Sequence, residues 1–184
     1  MGRLSKTVTR RVLGTIALLL IASGLLGVAA PVTEYQLKAV FLFNFAQFVE
    51  WPPEALPREN APFVIGVLGK DPFGTGLDAL VRGEEVSRHP LAIERYHDVA
   101  EIRDCQILYI APSELPRLEG ILATLRGRSI LTVSDAEGAA LRGVMIGLVR
   151  RDNRIRLRID LQAAKAGNLT ISSKLLRPAE IVGS

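Results

Sequence analysis

Phe63-Val64-Ile65-Gly66-Val67-Leu68-Gly69 is an unbroken apolar run, and it ends on Lys70-Asp71-Pro72-Phe73-Gly74-Thr75-Gly76. A strand with one wet face alternates apolar and polar residues. This run has no polar position, so it reads as a strand buried on both faces, the kind found in parallel sheets sheathed by helices. The glycine-rich stretch turns the chain, and Leu77 to Val81 begin a helix. The alternation continues downstream. Arg88 to Tyr96 reads as a second strand, Gln106 to Ala111 as a third and Ser129 to Ser134 as a fourth. Ser113 to Leu125 reads as a helix with Ser113 as its N-cap and Pro116 in its first turn. His97 to Asp104 and Asp135 to Leu141 read as loops or short helical turns.

The pattern changes at both ends. Upstream, Glu34 to Glu50 reads as a helix with Thr33 as N-cap, stopped at Trp51-Pro52-Pro53 because a residue before proline leaves the helical region. Leu37, Phe41, Phe45 and Phe48 follow at steps of four, four and three, which predicts them as its inward face. Downstream, Val144 to Val149 and Ile155 to Leu161 flank Arg150-Arg151-Asp152-Asn153-Arg154, a β-hairpin with an Asp-Asn tip. Ala163 to Ala166 reads as a helical turn closed by Gly167, Leu169 to Ser172 as a last strand and Ser173 to Ala179 as a closing helix. The expected fold is a single-domain, layered α/β sandwich over residues 30–184. It has a mainly parallel sheet flanked by helices and a C-terminal antiparallel hairpin.

Residues 1–29 read as a secretory signal peptide: a basic start (Arg3, Lys6, Arg10, Arg11), an apolar run from Val12 to Val28, and small residues Gly27 and Ala29 before the cleavage point. A retained membrane anchor is the other reading of the same run. Four of the 23 Lys and Arg residues lie in this segment and none of the 19 Asp and Glu residues, so the remainder carries 19 of each. The basic balance thus belongs to the targeting segment, and a neutral domain argues against nucleic-acid binding. The expected location is the periplasm. Cys105, the one cysteine, has no partner within the chain for a disulfide and reads as a small core hydrophobe.

No constellation points to catalysis. His89 and His97 lie at strand ends in no metal spacing, no Gly-x-Ser-x-Gly elbow exists, and Gly66 to Gly76 lacks both the Walker ending and the dinucleotide-binding spacing. An enzyme and a resident cofactor are therefore not expected. Two kinds of binding site are. In open α/β sheets ligands sit beyond the carboxyl ends of strands. The loops there offer Lys70, Asp71, Ser113, Ser134 and Asp135 as a small-ligand pocket. On the hairpin, Arg154, Arg156 and Arg158 alternate with Ile155, Leu157 and Ile159, which puts the arginines on one face, extended at the tip by Arg150 and Arg151, as a docking surface for an acidic partner or as a solvated edge.

Several stretches together resemble the YfiR-like family. They are Tyr35-Gln36-Leu37-Lys38-Ala39, the Phe-rich helix with Trp51-Pro52, Ile65 to Gly74, Cys105 to Ile110, Leu131 to Asp135, and Asn168 to Arg177. The likeness spans about residues 34–182 and rests on the order and spacing of these stretches. It implies a periplasmic, non-enzymatic regulator that binds the periplasmic sensory part of an inner-membrane diguanylate cyclase and restrains it, lowering cyclic di-GMP and biofilm formation; a homodimer is the expected state. Relatives that accompany sensor histidine kinases widen the partner class. The resemblance also implies a partner-contacting role for the C-terminal Leu169, Ile171, Leu175 and Leu176, for which closure of the core is the plainer reading. The chain departs from the family pattern in its single cysteine, in Arg158 at a position where an acid is expected, and in Val144 where glycine is expected. A small-molecule-binding accessory of a sensor kinase or uptake system is the second reading, and an exported hydrolase the weakest.

Overall fold

The computed structural model describes residues 32–59 and 61–183; the signal segment expected at 1–29 lies outside them. The chain runs α1 (Glu34–Phe48), β1 (Val49–Glu50), β2 (Phe63–Leu68), α2 (Thr75–Val81), β3 (Glu85–Val86), β4 (His89–Tyr96) and β5 (Ile107–Ile110). It continues through α3 (Leu118–Thr124), β6 (Leu131–Ser134), β7 (Ile146–Arg151), β8 (Arg154–Asp160), α4 (Leu161–Ala166), β9 (Thr170–Ile171), α5 (Ser173–Leu176) and β10 (Glu180–Val182). Eight strands form one sheet in the order β10-β8-β7-β6-β5-β2-β4-β3, and β1 pairs with β9 in a separate two-stranded ribbon.

The strands from β4 through β7 are parallel, and β2 is buried along its whole length, as its composition requires. Its side chains part to two cores. Phe63, Ile65 and Val67 join the face covered by α1, α2, α4 and α5, while Val64 and Leu68 join the face covered by α3. Gly66 has to be glycine: a Cβ there would lie 2.6 Å from Tyr96 Cε2 and 2.9 Å from Cys105 Sγ. Cys105 itself is buried, with its thiol donating to the Ile107 carbonyl at 3.0 Å. Burial pushes the thiol up to about 12.

The C-terminal part turns antiparallel. β7 and β8 form the expected hairpin, with Asp152 (φ 49°) and Asn153 (φ 58°) as a two-residue turn of the type whose twist suits a hairpin. β10 then returns parallel to β8, setting Glu180 beside Arg158; this strand was not foreseen, and the closing helix stops at Leu176.

Two local expectations are corrected, and the closure of α4 by Gly167 is as expected. The buried stripe of α1 is Lys38, Ala39, Leu42, Phe45 and Ala46, whereas Leu37 is exposed and Phe41 and Phe48 are half-buried. Ser113 does not cap a helix: a 3-10 turn over Pro112–Arg117 precedes α3, and the Ser113 hydroxyl accepts from the Lys70 backbone N–H at 3.0 Å. Gly167 ends α4 with φ −87°, and the left-handed residue is Asn168 (φ 56°). A Cβ at Gly167 would meet Met145 Cε at 2.8 Å, the movable end of a flexible side chain. Thr33 caps α1 as expected, in a capping box with Gln36.

Candidate functional site

The carboxyl ends of the parallel strands hold a network that ties α1 to the sheet. Lys38, 3% exposed, reaches from α1 to Asp135 at 2.5 Å, just beyond β6, and to Glu34 at 2.5 Å. Tyr109 of β5 donates its hydroxyl to the other Asp135 oxygen, and Arg150 of β7 pairs with Glu34 at 2.8 Å. Lys38 also lies over the Tyr35 ring, 4.5 Å from its centroid, and Tyr35, Phe73 and Tyr109 stack edge to face. Burial opposes the Lys38 charge, but its hydrogen bonds to Asp135 and Glu34 outweigh that and hold the ammonium above its usual range. Glu34 is held below the usual carboxylate range, first by its hydrogen bond from Lys38. Tyr109 is raised by burial and then by the Asp135 carboxylate it faces.

This arrangement fills the crevice where a small-ligand pocket was expected. Lys70 and Ser113 do meet, through the bond described above. Asp71 accepts from Arg95 at 2.7 Å and from the Phe73 backbone N–H at 2.7 Å. Ser134 is buried, donating to the Ile110 carbonyl and accepting from Ala136 N–H. Asp135 is taken by Lys38 and Tyr109. The side chains of Asp71, Ser113, Ser134 and Asp135 thus have partners within the chain, while Lys70 is exposed and is tied only through its backbone N–H. Gly69 (φ 90°) packs so tightly on Ser113 and Glu114 that a Cβ would come within 2.6 Å of either. That glycine turn closes on a carboxylate, a poor neighbour for a phosphate. The sequence signal for this network was present in Lys38, a base in an otherwise apolar helix stretch, but its partners come from β5, β6 and β7.

On the hairpin the arginines divide. Leu148, Leu157 and Ile159 point into the core beneath α1, so the opposite face carries Gly147, Val149 and Arg151 of β7 against Arg158, Arg156 and Arg154 of β8. Ala140 packs on Gly147, 3.0 Å from where its Cβ would be, while Arg151, Arg154 and Arg156 lie exposed. Arg158 is held by Glu180 of β10 at 3.0 Å and is only half-exposed, so the open part of the docking candidate is Arg151, Arg154 and Arg156. The C-terminal apolar candidates are placed elsewhere. Leu169, Ile171 and Leu175 are buried in the α1-side core and Leu176 packs against it. The cause is β9, which pairs Ile171 with Val49, while Ser172 N–H donates to Phe48 O. Leu169, Ile171 and Leu175 close the core, and Leu176 is half-buried at its margin.

Among the described residues, no helix is long and apolar enough to cross a membrane, and no group of three or more His, Cys, Asp or Glu side chains converges as a metal site. None of the curated proteins compared matches the chain. A family described as YfiR/HmsC-like does match, over residues 35–180, from the capped start of α1 to the first residue of β10. That span takes in Lys38 with Tyr109 and Asp135, the parallel sheet and the hairpin with its arginine face, and the chain belongs to the YfiR/HmsC-like family.

Proposed function

We propose that the protein is a periplasmic regulator that docks on the sensory domain of an inner-membrane signalling enzyme, a diguanylate cyclase in the first instance, and restrains it. Membership of the YfiR/HmsC-like family supports the regulatory role. The signal-like residues 1–29 support the location. The observation that carries the docking site is the open arginine face of β7 and β8. Three exposed guanidiniums, Arg151, Arg154 and Arg156, stand on a rigid two-stranded ribbon. Arginine presents planar paired donors to carboxylates and is enriched at interfaces. An acidic patch on the partner is its complement, and dimerisation of the regulator would present the face twice.

The test is binding of the purified protein to the periplasmic domain of a membrane diguanylate cyclase from the same cell, followed by calorimetry. Charge reversal at Arg154→Glu and Arg156→Glu is expected to lower affinity at least tenfold while leaving the thermal midpoint unchanged, since both side chains are exposed and neither belongs to the core. Unaltered affinity would place the contact on another face.

A further inference from the structure

We infer that the groove between α3 and α4 is a binding site for a small aliphatic carboxylate. The groove has a volume of about 400 Å³, within the range of small-molecule sites, and lies at the amino-terminal rim of β6 and β7, opposite the filled crevice. Leu122 and Leu125 line it from the α3 side, Ala163 from α4, and Ile130 and Met145 from the strand rim. The two helices cover opposite faces of the sheet, so the groove straddles its edge.

Two features set the ligand class. The apolar part of the lining is aliphatic and thioether carbon with no aromatic ring, and a flexible hydrocarbon tail can fill the space. Arg126, Arg128 and Arg142 also line the groove, against one carboxylate, Glu119. Among the described residues neither Arg126 nor Arg128 takes part in a salt bridge. Arg128 is fixed by donating to the carbonyls of Ile102 and Arg103, and Arg142 reaches the mostly exposed Glu119 at 3.4 Å. A greasy slot bordered by guanidiniums in excess of acid complements a carboxylate with an apolar tail.

Met145 supplies the readout, because the chain has two methionines, Met1 and Met145, and the second lines the groove. Protein labelled with carbon-13 at the methionine methyls is titrated with octanoate and, separately, with octanol. A saturable shift of the Met145 resonance with octanoate is expected, together with binding heat. Octanol should bind more weakly. Arg126→Ala, which removes an exposed cation, should weaken octanoate about tenfold by loss of a charge-assisted hydrogen bond. Ala123→Trp, at an exposed position of α3 beside the groove, should abolish binding without unfolding the domain. A Met145 resonance that stays still up to the micelle limit of octanoate, equal binding of octanol, or full binding by the Trp variant would each overturn the assignment.

Discussion

Lys38 carries an ammonium group into a site 3% exposed, and its two carboxylate partners are what make that tolerable. Replacing it by methionine leaves Asp135, itself buried, with Tyr109 alone. That loss should cost about 3–5 kcal/mol in urea unfolding, because a buried charge stripped of its partner keeps its desolvation penalty. The paired change Lys38→Met with Asp135→Leu should recover most of the loss, since neither charge then remains. This network and the separate Arg95–Asp78 pair set the pH limits of stability. Glu34 and Asp78 are both held low, each first by a hydrogen bond from its cation, Lys38 and Arg95. Their contribution is present above the ordinary values of 4.5 and 3.8 and is lost as pH falls through the lower folded values. Tyr109 is raised, so the unfolded chain gives up its proton first. Stability should therefore begin to fall as pH rises past 10.0, which thermal melts across an alkaline series would read.

The helix α1 shows where periodicity stops being informative. Leu37, Phe41, Phe45 and Phe48 form one apolar stripe, and Ala39, Leu42, Phe45 and Ala46 form another; the helix is apolar nearly all round. Only the second stripe also holds Lys38, and a sequence rule that keeps lysine outside selects the wrong one. Glu34 and the Tyr35 ring lie within one turn of the lysine, but the partner that draws it inward, Asp135, is 97 residues away, so no local window contains the whole reason. The strands were legible because burial on both faces leaves a run without polar positions, and the hairpin because period two and an Asp-Asn tip coincide. β10 was not, since Glu180 to Val182 has no pattern of its own and becomes a strand by lying along β8. The arginine stripe was legible as a stripe, but not the capture of Arg158 by Glu180. Local signals at helix ends hold up well. Thr33 and Gln36 cap α1 reciprocally, and Thr33→Ala should lower stability by about 1 kcal/mol in urea unfolding.

Across the whole molecule, the sheet is sheathed by helices in its centre and open on one face at the hairpin. A surface of that kind associates by steering, so partner capture through Arg151, Arg154 and Arg156 should slow as ionic strength rises, with the dissociation rate much less affected; stopped-flow association at two salt concentrations would check it. Cys105 lies far inside this architecture, against Gly66 and Tyr96, and is the chain's sole thiol. A disulfide reagent reaches its buried thiol when the packing against Gly66 and Tyr96 opens. The protein thus contains its own clock for opening. Under native conditions, the labelling rate should stay far below that of the denatured chain and follow the opening equilibrium, with no second sulfur to blur the count.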